Sequence, residues 1–173
     1  DNLQLNGSIV AYGAAAPHKA GGGAGGSIYL DVGTLSGSGE IAASGSHASN
    51  YAAGGGGGRI AVHYEHNNGF NLANVKAEGG SHSSYGKDGG VGSVYLHDKQ
   101  SGQGRYRFIG TGVNNYLTPL ELTDEQLNRP IVVSGTYLQL TSGSELNGLL
   151  NISNSTLTIE DGVSINQAFV GNG

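Results

Sequence analysis

The 173 residues include 33 glycines and no cysteine, only 12% are charged, and the net charge is −5. This composition excludes disulfides and thiolate metal sites, and the eight scattered Lys and Arg residues leave no basic patch for nucleic acid. With 36% hydrophobic residues and nine tyrosines the chain is not a solvated coil, its glycines lack the triplet period of collagen, and no apolar stretch approaches the roughly 18 residues of a membrane helix. Methionine and a secretion signal are both missing, which reads as a processed product or an excerpt of a longer chain.

The first expected strand lies in Gly7-Ser8-Ile9-Val10-Ala11-Tyr12-Gly13. It returns as Gly39-Glu40-Ile41-Ala42-Ala43-Ser44-Gly45 and, degraded, as Asn74-Val75-Lys76-Ala77-Glu78-Gly79, a period of 32 to 34 residues. Ile9, Ile41 and Val75 share one position of this unit, Ala11, Ala43 and Ala77 a second, and Gly13, Gly45 and Gly79 a third. Each unit continues with a glycine run and an alternating tetrad. The run from Gly21 to Gly26 leads into Ser27-Ile28-Tyr29-Leu30, and Gly54 to Gly58 leads into Arg59-Ile60-Ala61-Val62. Gly89-Gly90-Val91-Gly92 leads into Ser93-Val94-Tyr95-Leu96. Alternation at period two is strand spacing with one buried face. Each ordered glycine costs about 0.5–1 kcal/mol. Runs that recur before a strand therefore suggest backbones too close for any Cβ or positive φ, with a flexible glycine loop as the plain alternative.

From about Gly110 to Pro130 nothing repeats. Thr123-Asp124-Glu125-Gln126 has the spacing of a helix capping box, and Pro130 stops whatever begins there, so a short helical turn or a loop is expected. The last 40 residues carry a period of 19. Leu138-Gln139-Leu140 recurs as Leu157-Thr158-Ile159, Gly143 as Gly162, Leu146-Asn147 as Ile165-Asn166, and Leu150 as Phe169. Together these features predict an all-β chain, a parallel β-helix (β-solenoid) with glycine-rich corners. Residues 1–109 would form the repeats of period 32–34, residues 110–130 a connecting segment, and residues 131–173 coils of period 19. Equivalent side chains would then pile up about 4.8 Å apart, each thin layer sheltered by its neighbours.

The stretches Gly21 to Leu30, Leu35 to Gly45 and Ala53 to Tyr64 resemble the glycine-rich repeats of very large bacterial secreted and surface proteins, adhesin-like chains known or expected to be parallel β-helices. The resemblance covers roughly residues 3 to 98, and residues 138 to 172 are similar to the repeats of adhesins and autotransported passenger domains. It implies display, adhesion or matrix formation outside the cell, with no catalytic residue set.

The residues themselves suggest no catalyst. Asp31, Asp88, Asp98, Asp124 and Asp161 are dispersed, whereas polysaccharide-cleaving enzymes need clustered acids. The glycine runs lack the Lys-Ser/Thr of a phosphate loop and the acidic pattern of calcium repeats, although Asp88 or Asp98 could hold a single calcium ion. His18, His47 and His82 follow equivalent glycines and could form a column, but their offsets differ. His63 and His66 flank Tyr64-Glu65 and are no stronger, so no metal site and no cofactor are expected. The candidate ligand-binding residues are tyrosines. Tyr29 and Tyr95 share one outward repeat position, and Tyr51 and Tyr85 precede the second and third glycine runs. Rings with a polar tip could stack on sugars or on a neighbouring molecule, or simply form a cross-strand ladder.

The leading expectation is a structural or adhesive extracellular module, not an enzyme, that continues within a longer surface protein or self-associates into a filament. A carbohydrate-binding module or fibre tip is the alternative, and a polysaccharide-degrading β-helix enzyme a third. Neither nucleic acid nor membrane insertion enters any of these.

Overall fold

The fold is given by a computed structural model, which describes residues 1–15, 17, 20–48, 52–82, 86–110, 120–167 and 169–172. In chain order the strands of the first half are β1 (Asn2–Gln4), β2 (Ser8–Val10), β3 (Ser27–Ser36), β4 (Glu40–Ala42), β5 (Arg59–Asn68), β6 (Val75–Lys76), β7 (Ser93–Asp98) and β8 (Gln103–Ile109). The second half contributes β9 (Leu120–Glu121), the one-turn helix α1 (Asp124–Leu127), β10 (Ile131–Ser134), β11 (Tyr137–Leu140), β12 (Glu145–Leu146), β13 (Leu150–Ser153), β14 (Thr156–Ile159), β15 (Ser164–Ile165) and β16 (Phe169–Asn172).

The molecule is mostly β-sheet. One eight-stranded sheet has the order β1-β3-β5-β7-β8-β10-β13-β16, and three small sheets are ordered β2-β4-β6, β14-β11-β9 and β12-β15. Pairing follows the repeats. Ile9 is in register with Ile41, and Ile41 with Val75. Ile28, Ile60 and Val94 form a second row. In the later repeat Leu138 meets Leu157, Leu140 meets Ile159, Leu146 meets Ile165 and Leu150 meets Phe169.

The expected parallel β-helix is nevertheless corrected by the structure. The large sheet is mixed, not all-parallel: β7 and β8 pair antiparallel, Tyr95 opposite Tyr106 and Asp98 opposite Gln103. No closed solenoid is present among the described residues. The cause of the reversal is local. The Asp98 carboxylate accepts from the N–H groups of Gln100 and Ser101, at 2.9 and 3.2 Å. Gly102 then takes φ +69°, which a side chain would strain. This tight turn doubles the chain back where a regular coil would have advanced. The glycine runs, in turn, are not strands.

Two apolar clusters result, one for each repeat system. The first is centred on Leu35, Ile41, Val62, Val75 and Leu96, the second on Phe108, Ile131, Val133, Leu138, Leu140, Leu146 and Leu150. Leu127 of α1 joins the second. Its carbonyl accepts from the N–H groups of Asn147 and Gly148, at 3.0 and 2.7 Å, tying the helix to the adjoining layer. The capping box is formed as expected. Thr123 accepts from Gln126 N–H, and the Gln126 side chain accepts from Thr123 N–H.

Beyond these clusters, backbone replaces side chain as filling. A Cβ on Gly13 would lie 1.9 Å from the Gly23 carbonyl oxygen, on Gly45 2.0 Å from that of Gly55, and on Gly79 1.9 Å from that of Gly89. Facing walls are joined directly within each layer. Gly26, Gly58 and Gly92 donate to the carbonyls of Ala11, Ala43 and Ala77 at 2.8, 2.7 and 2.7 Å. Successive layers are joined as well, Gly25 donating to Gly56 and Gly57 to Gly90, both at 2.9 Å. Among the described glycines with positive φ, none belongs to a run. Of the two reasons the sequence offered, close approach is the one that operates.

Candidate functional site

Strands β3, β5 and β7 lie side by side in register, so alternate residues form straight rows across the outer face of the large sheet. One row is Tyr29, Ala61, Tyr95; the next is Asp31, His63, His97. Tyr29 is 65% exposed, a large ring standing open to solvent. Ala61 leaves a gap between the tyrosines. His63 fills it, its ring centroid 5.3 Å from Tyr29 and 5.8 Å from Tyr95. Tyr95 continues the aromatic line to Tyr106 at 4.8 Å, and the Arg129 guanidinium lies 5.7 Å from the Tyr95 ring centre. Gly104 makes room for that ring, since a Cβ there would sit 2.0 Å from the Tyr95 hydroxyl.

The second row is polar. His63 Nδ1 and His97 Nδ1 are 3.0 Å apart, and the two rings meet edge to face. Whichever neutral imidazole carries the Nδ1 proton donates to the other. Lys99 donates to Asp31 at 2.6 Å and approaches Glu65 at 3.6 Å. The hydrogen bond from Lys99 holds the Asp31 carboxyl below the usual carboxylate range and raises Lys99 in return. Desolvation, followed by the neighbouring His97, lowers His63, with Asp31 opposing. This face therefore places a histidine pair beside a fixed ion pair. Tyr106, further along, is raised mainly by burial and then by Glu125.

Elsewhere, a hollow of about 480 Å3 lies over the small sheet β2-β4-β6. Tyr12, 55% exposed, forms one wall, and Glu40, Lys76 and Glu78 stand around it. Lys76 and Glu40 are paired at 3.3 Å.

Of the sequence candidates, Tyr29 and Tyr95 are brought to one face, while Tyr51 and Tyr85 lie outside the described residues. The histidine column does not assemble among the described residues, and His18 lies outside them. His47 Nδ1 is engaged by Ser81, whose Oγ lies 2.7 Å away and whose N–H donates at 3.0 Å. His82 is paired with Asp88 at 2.7 Å. Asp98 is occupied by its turn. The pair His63 and His97 was missed, as was Tyr12. The signal was available: extending the row Tyr29, Ala61, Tyr95 by two residues gives Asp31, His63, His97. Among the described residues no group of three or more His, Asp and Glu side chains is placed to hold a metal ion.

Comparison with protein-family models, curated proteins and solved structures finds no match.

Proposed function

We propose that the chain is a structural or adhesive module of a secreted or cell-surface protein, working through association of its layers. The observation that carries this reading is the uncovered last layer. Leu140 and Leu146 are 1% and 0% exposed, yet their in-register successors Ile159 and Ile165 are 46% and 44% exposed. The same inward position is thus sealed in one layer and open in the next. At the other end β1 and β2 also present edges, with Leu3 and Ile9 only half-buried. Such edges template further strands. The two ends differ, so the open layers take either further repeats of a longer chain or a second copy added head to tail, a heterologous contact that builds open filaments. The resemblance to glycine-rich surface repeats supports the setting.

Sedimentation velocity and electron microscopy test this directly. The protein should form concentration-dependent elongated species, and Ile159→Asp with Ile165→Asp should return it to monomers. Monodisperse short particles of the parent chain at every concentration would reject the reading.

The aromatic face supports a second reading, a glycan-binding surface, because Tyr29 stands far more open than a ring in a protective ladder needs to be. Glycan-array binding lost in Tyr29→Ala and Tyr95→Ala would support it, and a silent array would count against it.

A further inference from the structure

We propose that His63 and His97 form a binding site for a divalent transition-metal ion of the copper(II) or nickel(II) class on the outer face of the large sheet. This goes beyond the structural role and does not depend on assembly. Both residues sit on neighbouring parallel strands, in register, so the backbone places the two side chains next to each other. Their Nδ1 atoms are 3.0 Å apart, and both rings are half-buried.

Metal–imidazole bonds are about 2.0–2.1 Å long. An ion bonded to two nitrogens 3.0 Å apart would therefore see them at roughly 90–97°. That is the cis angle of a square-planar or octahedral ion and narrower than a tetrahedral one, which favours copper(II) or nickel(II) over zinc(II). For both lone pairs to face one point the rings must turn about the broad imidazole χ2.

The surroundings suit a cation. Lys99, the cation on this face, is drawn to Asp31 and Glu65. Asp31 lies in the same row, one strand from His63, and supplies negative charge beside the site. With only two protein ligands, the remaining positions fall to water.

Copper(II) and nickel(II) titrations by calorimetry, with copper(II) electron paramagnetic resonance, test the site. The parent protein should bind one ion per chain with two imidazole nitrogens in the spectrum. His63→Gln and His97→Gln should each weaken binding by at least the roughly 10–100-fold that loss of a ligand's supporting contact alone costs. His66→Gln should leave it unchanged. Equal affinity in the parent and in the double variant, or no binding by the parent, would overturn the proposal. Imidazole nitrogen resonances on the unaltered protein give a check that no substitution can confound: nickel(II) must perturb His63 and His97 before any other histidine.

Discussion

At the level of single residues, the glycine runs distinguish crowding from flexibility. Gly89 and Gly90 are neighbours in one run, but a Cβ on Gly89 would lie 1.9 Å from the Gly55 carbonyl oxygen whereas one on Gly90 meets nothing within 4 Å. Gly89→Ala is therefore expected to destabilise the fold by at least about 1–3 kcal/mol, the cost of overpacking. Gly90→Ala should be neutral, or stabilising by about 0.4–1 kcal/mol through the unfolded chain. Urea unfolding of both variants measures the contrast. Equal effects would mean that the run is a loop and not a packed wall. The histidine pair gives a pH signature. His63 is lowered in the folded state, so the unfolded chain binds more protons as pH falls. Its contribution to stability is complete above the ordinary imidazole value of about 6.5 and is lost as pH drops below that. The melting temperature should fall between neutral and mildly acidic pH, and less so in His63→Gln.

Single elements depend on small local devices. The one turn of α1 is too short to persist alone. Its capping box and the buried Leu127 hold it in place. Thr123→Ala should cost about 0.5–2 kcal/mol and Thr123→Ser much less, measured by thermal unfolding. The spacing of Thr123 and Gln126 made this element legible in advance, because a cap is written in four consecutive residues. The strands were legible for a related reason. Alternating apolar residues reveal which face is inward, and repeated alternation reveals which residues stack, as Ile9 on Ile41 on Val75. The reversal between β7 and β8 was not legible. Its markers, Asp98 and Gly102, sit among residues that also suit a simple corner, and only the path of the whole chain distinguishes the two.

At the scale of the whole molecule, sequence by itself determined the layer-to-layer equivalences, because adding one period brings back the same apolar or glycine positions. It also determined that glycine runs recur at fixed places in the unit, which calls for a reason in the backbone. Tertiary structure alone decided that parallel layers join a reversed strand in one mixed sheet of eight. It alone decided which backbone each glycine faces, and that His63 meets His97 and not His66. These outcomes depend on how far the chain travels across a layer before it returns. That distance is a sum over every dihedral in between, including those of turns, and no local pattern of residue types fixes it.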